Sequence, residues 1–144
     1  MISRLSINSR LKKLQEYVKQ LKIYRKSSLA DVRDDFTLQA AVLHTFQLSI
    51  ECVLDIGEFI ISENNFRKPE NASEVIVVLG EQAILPKDFA LRFSVAAKFR
   101  NLIVHEYIKI DVRKVYQHLQ KDLEDFDFYT KCIAKFLEKN KNSK

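Results

Sequence analysis

Two glycines and two prolines in 144 residues leave few positions where a helix is easily broken; average usage would supply roughly seventeen of the two combined. This scarcity predicts an all-helical chain. The length suits one domain spanning 1–144 with one core. No uninterrupted run of eighteen uncharged apolar residues is present to span a bilayer, so a membrane role is not expected. The opening MISRLSINSRLKK has basic residues but neither an unbroken apolar stretch nor a small-residue cleavage site, and the expected compartment is the cytoplasm.

Apolar residues at three-four spacing divide the chain. Asn8 or Ser9 is placed to cap a first helix with Leu11, Leu14, Val18 and Leu21 inward and Lys12, Lys13, Lys19 and Lys22 outward. After the polar break KSSLADVRDD, a central helix is expected from about Asp34 to Ser62, with Gly57 marking a bend or a close helix contact. The loop ENNFRKPENAS leads to a short helix capped by Ser73, and Pro86 suits the first position of a fourth helix running to about His105. Asp111 is the expected cap of a last long helix carrying Val115, Leu119, Leu123, Phe126, Ile133, Phe136 and Leu137. The pattern predicts a four-to-five-helix up-and-down bundle, with a basic tail from about residue 139.

Charge and chemistry narrow the function. Lysine and arginine exceed aspartate and glutamate by five, 24 against 19, a mild bias toward anionic partners. Cys52 and Cys132 stand eighty positions apart and read as core thiols rather than zinc ligands or a disulfide. His44 reads as a half-buried structural residue and His118 as solvent-facing. Neither completes a Glu-x-x-His pair, which excludes a carboxylate-bridged di-iron bundle. The remaining polar density lies in RNLIVHEY, where Arg100, Asn101, His105 and Tyr107 fall within eight residues. Asn101 and His105 share a helix face at i,i+4, and Arg100 and Tyr107 align seven apart. A forked guanidinium suits a phosphodiester, and a histidine can move protons near neutral pH. A purely structural account also stands: Arg100 paired with Glu106 or Asp55, Asn101 capping a turn, and His105 facing the helix dipole.

The run from Arg100 to Tyr107 resembles the signature of the HepT-like toxins of the HEPN superfamily: an Arg and a polar residue, a His after four intervening positions, then a Tyr two further on. LQAAVLHTFQLSIECVLDIGEFIIS, the LPKDFA opening of the fourth helix and DVRKVYQHLQKDLEDF extend the likeness from about Phe36 to Phe136. The resemblance implies a homodimer with a composite endoribonuclease site that needs no metal or other cofactor. Arg100 and His105 would be catalytic in it, Asn101 supporting, and the product a 2′,3′-cyclic phosphate. It further implies the toxin half of a type II-like toxin–antitoxin pair, neutralised by a minimal nucleotidyltransferase (MNT) antitoxin that can AMPylate Tyr107. Glu51 and Asp55, i and i+4 on the second helix, could orient Arg100 or His105 or simply form a solvated acidic stripe. A different class remains open: a non-catalytic helical module that binds a nucleotide or a partner beside a nucleotidyltransferase. A structural dimerisation domain is a third reading.

Overall fold

In the computed structural model, residues 4–105 and 110–141 are described, and these are helical apart from short connections. The elements are α1 (Arg4–Tyr24), α2 (Leu29–Asp34), α3 (Phe36–Glu63), α4 (Ala72–Glu81), α5 (Lys87–Phe93), α6 (Val95–His105), α7 (Val112–Lys121) and α8 (Leu123–Lys141). All five expected helical stretches are present. A short α2 is added inside the presumed polar break, where Ser28 accepts a capping bond from Asp31 N–H at 3.0 Å and Val32 is fully buried.

The long α3 is the centre of the bundle and packs against α1, α4 and α6. It is long and apolar enough to cross a membrane by composition, but its apolar residues from Val42 to Ile61 line the core. Two buried hydroxyls on it are satisfied within the helix: Thr45 donates to the Ala41 carbonyl and Ser49 to the Thr45 carbonyl. Tyr129 of α8, fully buried, donates its phenol proton to the Val53 carbonyl at 2.8 Å. A Cβ on Gly57 would lie 2.6 Å from Val75 Cγ1, so this glycine marks close approach of α4, as its position in the sequence suggested.

Helix ends depart from expectation for local reasons. α1 starts before Asn8 and Ser9 because Ile7, 1% exposed, extends the apolar stripe a turn earlier. Lys22 is not free on the surface but pairs with Asp127 of α8 at 2.6 Å. Asn71, not Ser73, caps α4, accepting from Glu74 N–H at 3.0 Å; Ser73 donates to the cap side chain instead. Pro86 is the residue before α5 rather than its first. The expected fourth helix is broken at Ser94, whose hydroxyl donates to the Leu91 carbonyl and whose own carbonyl takes a tight bond from Ala97 N–H. Asp111 caps α7 as expected, and Asp122 breaks the last stretch into α7 and α8.

His44 is exposed, contrary to its expected half-buried role, because it falls on the outer side of α3 between the buried Leu43 and Thr45. His118 is the reverse: half-buried, it packs against Phe99 with ring centroids 4.9 Å apart and planes tilted by 41°, and pairs through Nδ1 with Asp122. Both cysteines are free thiols packed half-buried against the core.

Two measurements test this packing. At Gly80 a Cβ would lie 2.5 Å from the Ala90 Cβ, an atom that no side-chain rotation can move. Gly80→Ala should therefore lower the unfolding free energy by about 1–3 kcal/mol in urea titration, and Ala90→Gly in the same chain should recover much of it. Burial, then the Asp55 carboxylate, pushes the Cys52 thiol up to about 11. At pH 8 only roughly one chain in a thousand then carries the thiolate, so mass spectrometry should show slow alkylation by iodoacetamide, accelerating as pH approaches 11.

Candidate functional site

α6 lies against α3 through Phe99, whose ring meets Phe46 edge-on at 5.7 Å. Anchoring Phe99 inward rotates the next residue, Arg100, to the seam between the two helices. There its Nη2 donates to Glu51 Oε1 at 3.1 Å and its Nη1 to Asn101 Oδ1 at 3.3 Å. Gln47, one turn earlier on α3, donates to the same Glu51 oxygen at 3.1 Å. The guanidinium is held from two sides, with about a quarter of the side chain still exposed. Its Nε is buried and meets no hydrogen-bond partner among the described residues.

His105, one turn beyond Asn101, is exposed and is the last described residue of α6. With Lys98, Asn101 and Leu102 it lines an open groove of about 460 Å³. Asn101 thus belongs to both features: its carbonyl oxygen accepts from Arg100, and its side chain borders the groove that holds His105. A partly exposed arginine can neutralise a phosphate, and an exposed imidazole in an open groove can give or take a proton.

Of the residues singled out in the sequence, Arg100, Asn101 and Glu51 are brought into contact, with His105 one turn away. Asp55 is not among them; it faces α1, where Arg10 Nε lies 3.7 Å from its carboxylate. The structural pairing of Arg100 with Asp55 is therefore replaced by a pairing with Glu51. Tyr107 and Glu106 lie outside the described residues. Lys98 and Gln47 went unremarked in the sequence. Lys98 precedes Asn101 by three and Gln47 precedes Glu51 by four, helical spacings that would have placed both near the signature. Among the described residues no group of three or more His, Cys, Asp or Glu side chains is arranged to hold a metal ion.

The chain is similar to known proteins over most of its length. It is 28% identical over 131 residues, 91% of its length and 89% of the relative's, to a tRNA nuclease HepT from Aphanizomenon flos-aquae. It is 25% identical over 101 residues, 70% of its length and 76% of the relative's, to an mRNA nuclease HepT from Shewanella oneidensis. Its fold matches that of a tri-AMPylated Shewanella oneidensis HEPN toxin solved in complex with an MNT antitoxin, with a TM-score of 0.82 at 21% identity, covering 89% of this chain and 96% of that one. The Ribonuclease HepT-like family model matches residues 14–133, a span that includes Glu51, Arg100 and His105, and the chain belongs to that family.

Proposed function

We propose that this chain is the toxin of a HEPN/MNT toxin–antitoxin pair, an endoribonuclease that cleaves RNA without a metal ion at a site shared between two protomers. The observation that carries this reading is the Arg100 guanidinium, gripped by Glu51 and by Asn101, a residue that also lines the groove exposing His105. Membership of the HepT-like family and relatives named as tRNA and mRNA nucleases support it.

The reaction is an internal transesterification. The ribose 2′-oxygen attacks the adjacent phosphorus while a neutral His105 imidazole removes the 2′-hydroxyl proton. A protonated His105 from the second protomer gives a proton to the departing 5′-oxygen. The products are a 2′,3′-cyclic phosphate and a 5′-hydroxyl, with no net change in protons. Arg100 stabilises the extra negative charge on the five-coordinate phosphorus. Glu51 and Gln47 act as positioning residues by fixing the fork of that guanidinium. Asn101 keeps the fork beside the groove. A two-fold dimer would supply both histidines.

Control follows from the same chemistry. A nucleotidyltransferase antitoxin would transfer AMP onto Tyr107, placing a phosphate two residues from His105, where it would compete for Arg100 and obstruct RNA. The solved relative that is tri-AMPylated and bound to an MNT antitoxin supports this regulation. The whole chain would act as one helical unit in the cytoplasm.

Incubating the purified protein with total RNA in excess EDTA should yield fragments ending in cyclic phosphate. His105→Ala should reduce the rate by about a thousandfold and Arg100→Ala by about a hundredfold or more, with helical content unchanged by circular dichroism. Full activity in either variant would remove that residue from the mechanism. Absence of cleavage by a parent chain shown by mass to be unmodified would favour a non-catalytic partner module. A double-mutant cycle between Glu51→Gln and Arg100→Ala should give a coupling of about 0.2–1 kcal/mol in stability, since both groups are partly exposed. Glu51→Gln should lower kcat more than it changes KM, because it loosens Arg100 without touching substrate.

A further inference from the structure

Apart from the His105 groove, α3, α5, α6 and the α7–α8 break line an open-sided apolar cavity of about 230 Å³. Four phenylalanines, Phe46, Phe93, Phe99 and Phe126, form its walls, paired edge-on as Phe46 with Phe99 and as Phe93 with Phe126. Its polar lining is confined to Arg92, His118, Asp122 and Asp125. Arg92 donates to Asp125 Oδ1 at 3.1 Å, and His118 pairs with Asp122 Oδ2. Each carboxylate therefore keeps a second oxygen that accepts no hydrogen bond from the described residues. Neither the ion pair of Arg100 nor the His105 groove uses any of these groups.

We propose that this cavity is a nucleobase pocket, which takes one base of the RNA next to the phosphate held by Arg100. The inference rests on the ribonuclease reading, which supplies the RNA. The cavity itself supplies the rest. Phe99, the least buried of the four rings, can recognise the face of an unstacked base, the usual way single-stranded RNA is bound, with the other three closing the apolar floor. A rim of two carboxylates and one guanidinium matches a base edge that carries donors and acceptors together. The location fits as well: Phe99 of the wall precedes Arg100 in α6, and Ile50 of the wall precedes Glu51 in α3. The same pair of helices, α3 and α6, thus carries both the cavity wall and the Glu51–Arg100 ion pair.

The carboxylates also set a preference. Adenine, cytosine and guanine carry an exocyclic amine that can donate to Asp122 or Asp125. Uracil presents two carbonyls flanking one N–H; Arg92 can meet one carbonyl, and the other would face a carboxylate oxygen. The pocket therefore selects amine-bearing bases over uracil, and cleavage sites should be enriched in such a base beside the scissile bond.

Free nucleosides test the pocket without a phosphate and without turnover. Adenosine, cytidine, guanosine and uridine would be titrated into the full chain, following the His118 ring resonances by NMR. Amine-bearing nucleosides should shift these resonances saturably and bind about tenfold more tightly than uridine. Asp122→Asn, which keeps the backbone turn, should erase that difference, and Phe99→Leu should weaken all four. Val95→Tyr is the control for folding: Val95 is half exposed at the mouth, so the larger ring should block binding with thermal stability retained. No saturable shift with any nucleoside, or binding indifferent to both Asp122→Asn and Val95→Tyr, would overturn the proposal even if the parent cleaves RNA. Nucleoside binding by a chain that cleaves no RNA would uphold the pocket and remove the ribonuclease reading alone.

Discussion

Burying α3 is the constraint on which everything else in this molecule depends. Twelve of its 28 residues are buried, more than one neighbouring helix can cover, so partners must approach from several sides. α1 covers one side and α4 another, the latter brought close by the absent side chain of Gly57. Tyr129 ties α8 to the helix by a phenol bond to the Val53 carbonyl. A buried carbonyl already engaged in a helix accepts a second bond only from a donor held in place, which makes this contact a register mark for α8.

The remaining side of α3 receives α6, and the candidate site arises from that contact. Phe99 must point into the core to meet Phe46. Helical geometry then sends Arg100 to the seam, where the polar line of Gln47 and Glu51 on α3 receives it. The guanidinium is oriented by the packing that stabilises the fold, so the cost of holding a long flexible side chain is met largely within the folded chain itself. His105 lies one turn past Asn101 and is left exposed.

Phe99 faces in two directions. One neighbour is Phe46 in the core, and another is His118, drawn inward by Asp122 at the break between α7 and α8. The last apolar stretch is not one helix from Asp111 onward but is interrupted at Asp122. Breaking it leaves the acidic pair of Asp122 and Asp125 around an aromatic cavity, beside the helix that carries the signature. Across the break at Ser94, Phe93 of α5 and Phe99 of α6 both line that cavity.

The all-helical class was legible in the residues alone, because four Gly and Pro residues in 144 supply too few tight turns for a sheet while apolar residues recur at three-four spacing. The apolar stripes were legible for the same reason: three-four spacing is a local property of one helix. The signature run from Arg100 to His105 was also visible, since both residues lie in one short segment. Only the tertiary structure decided their company. Glu51 and Asp55 have the same spacing and chemistry on α3, yet one meets Arg100 and the other Arg10, because which side of α3 faces α6 depends on how all its neighbours pack. His44 and His118 illustrate the same limit: neither one's burial follows from its own neighbours in sequence. Local periodicity determines that a helix has an inside; the sum of contacts along every helix decides what that inside touches.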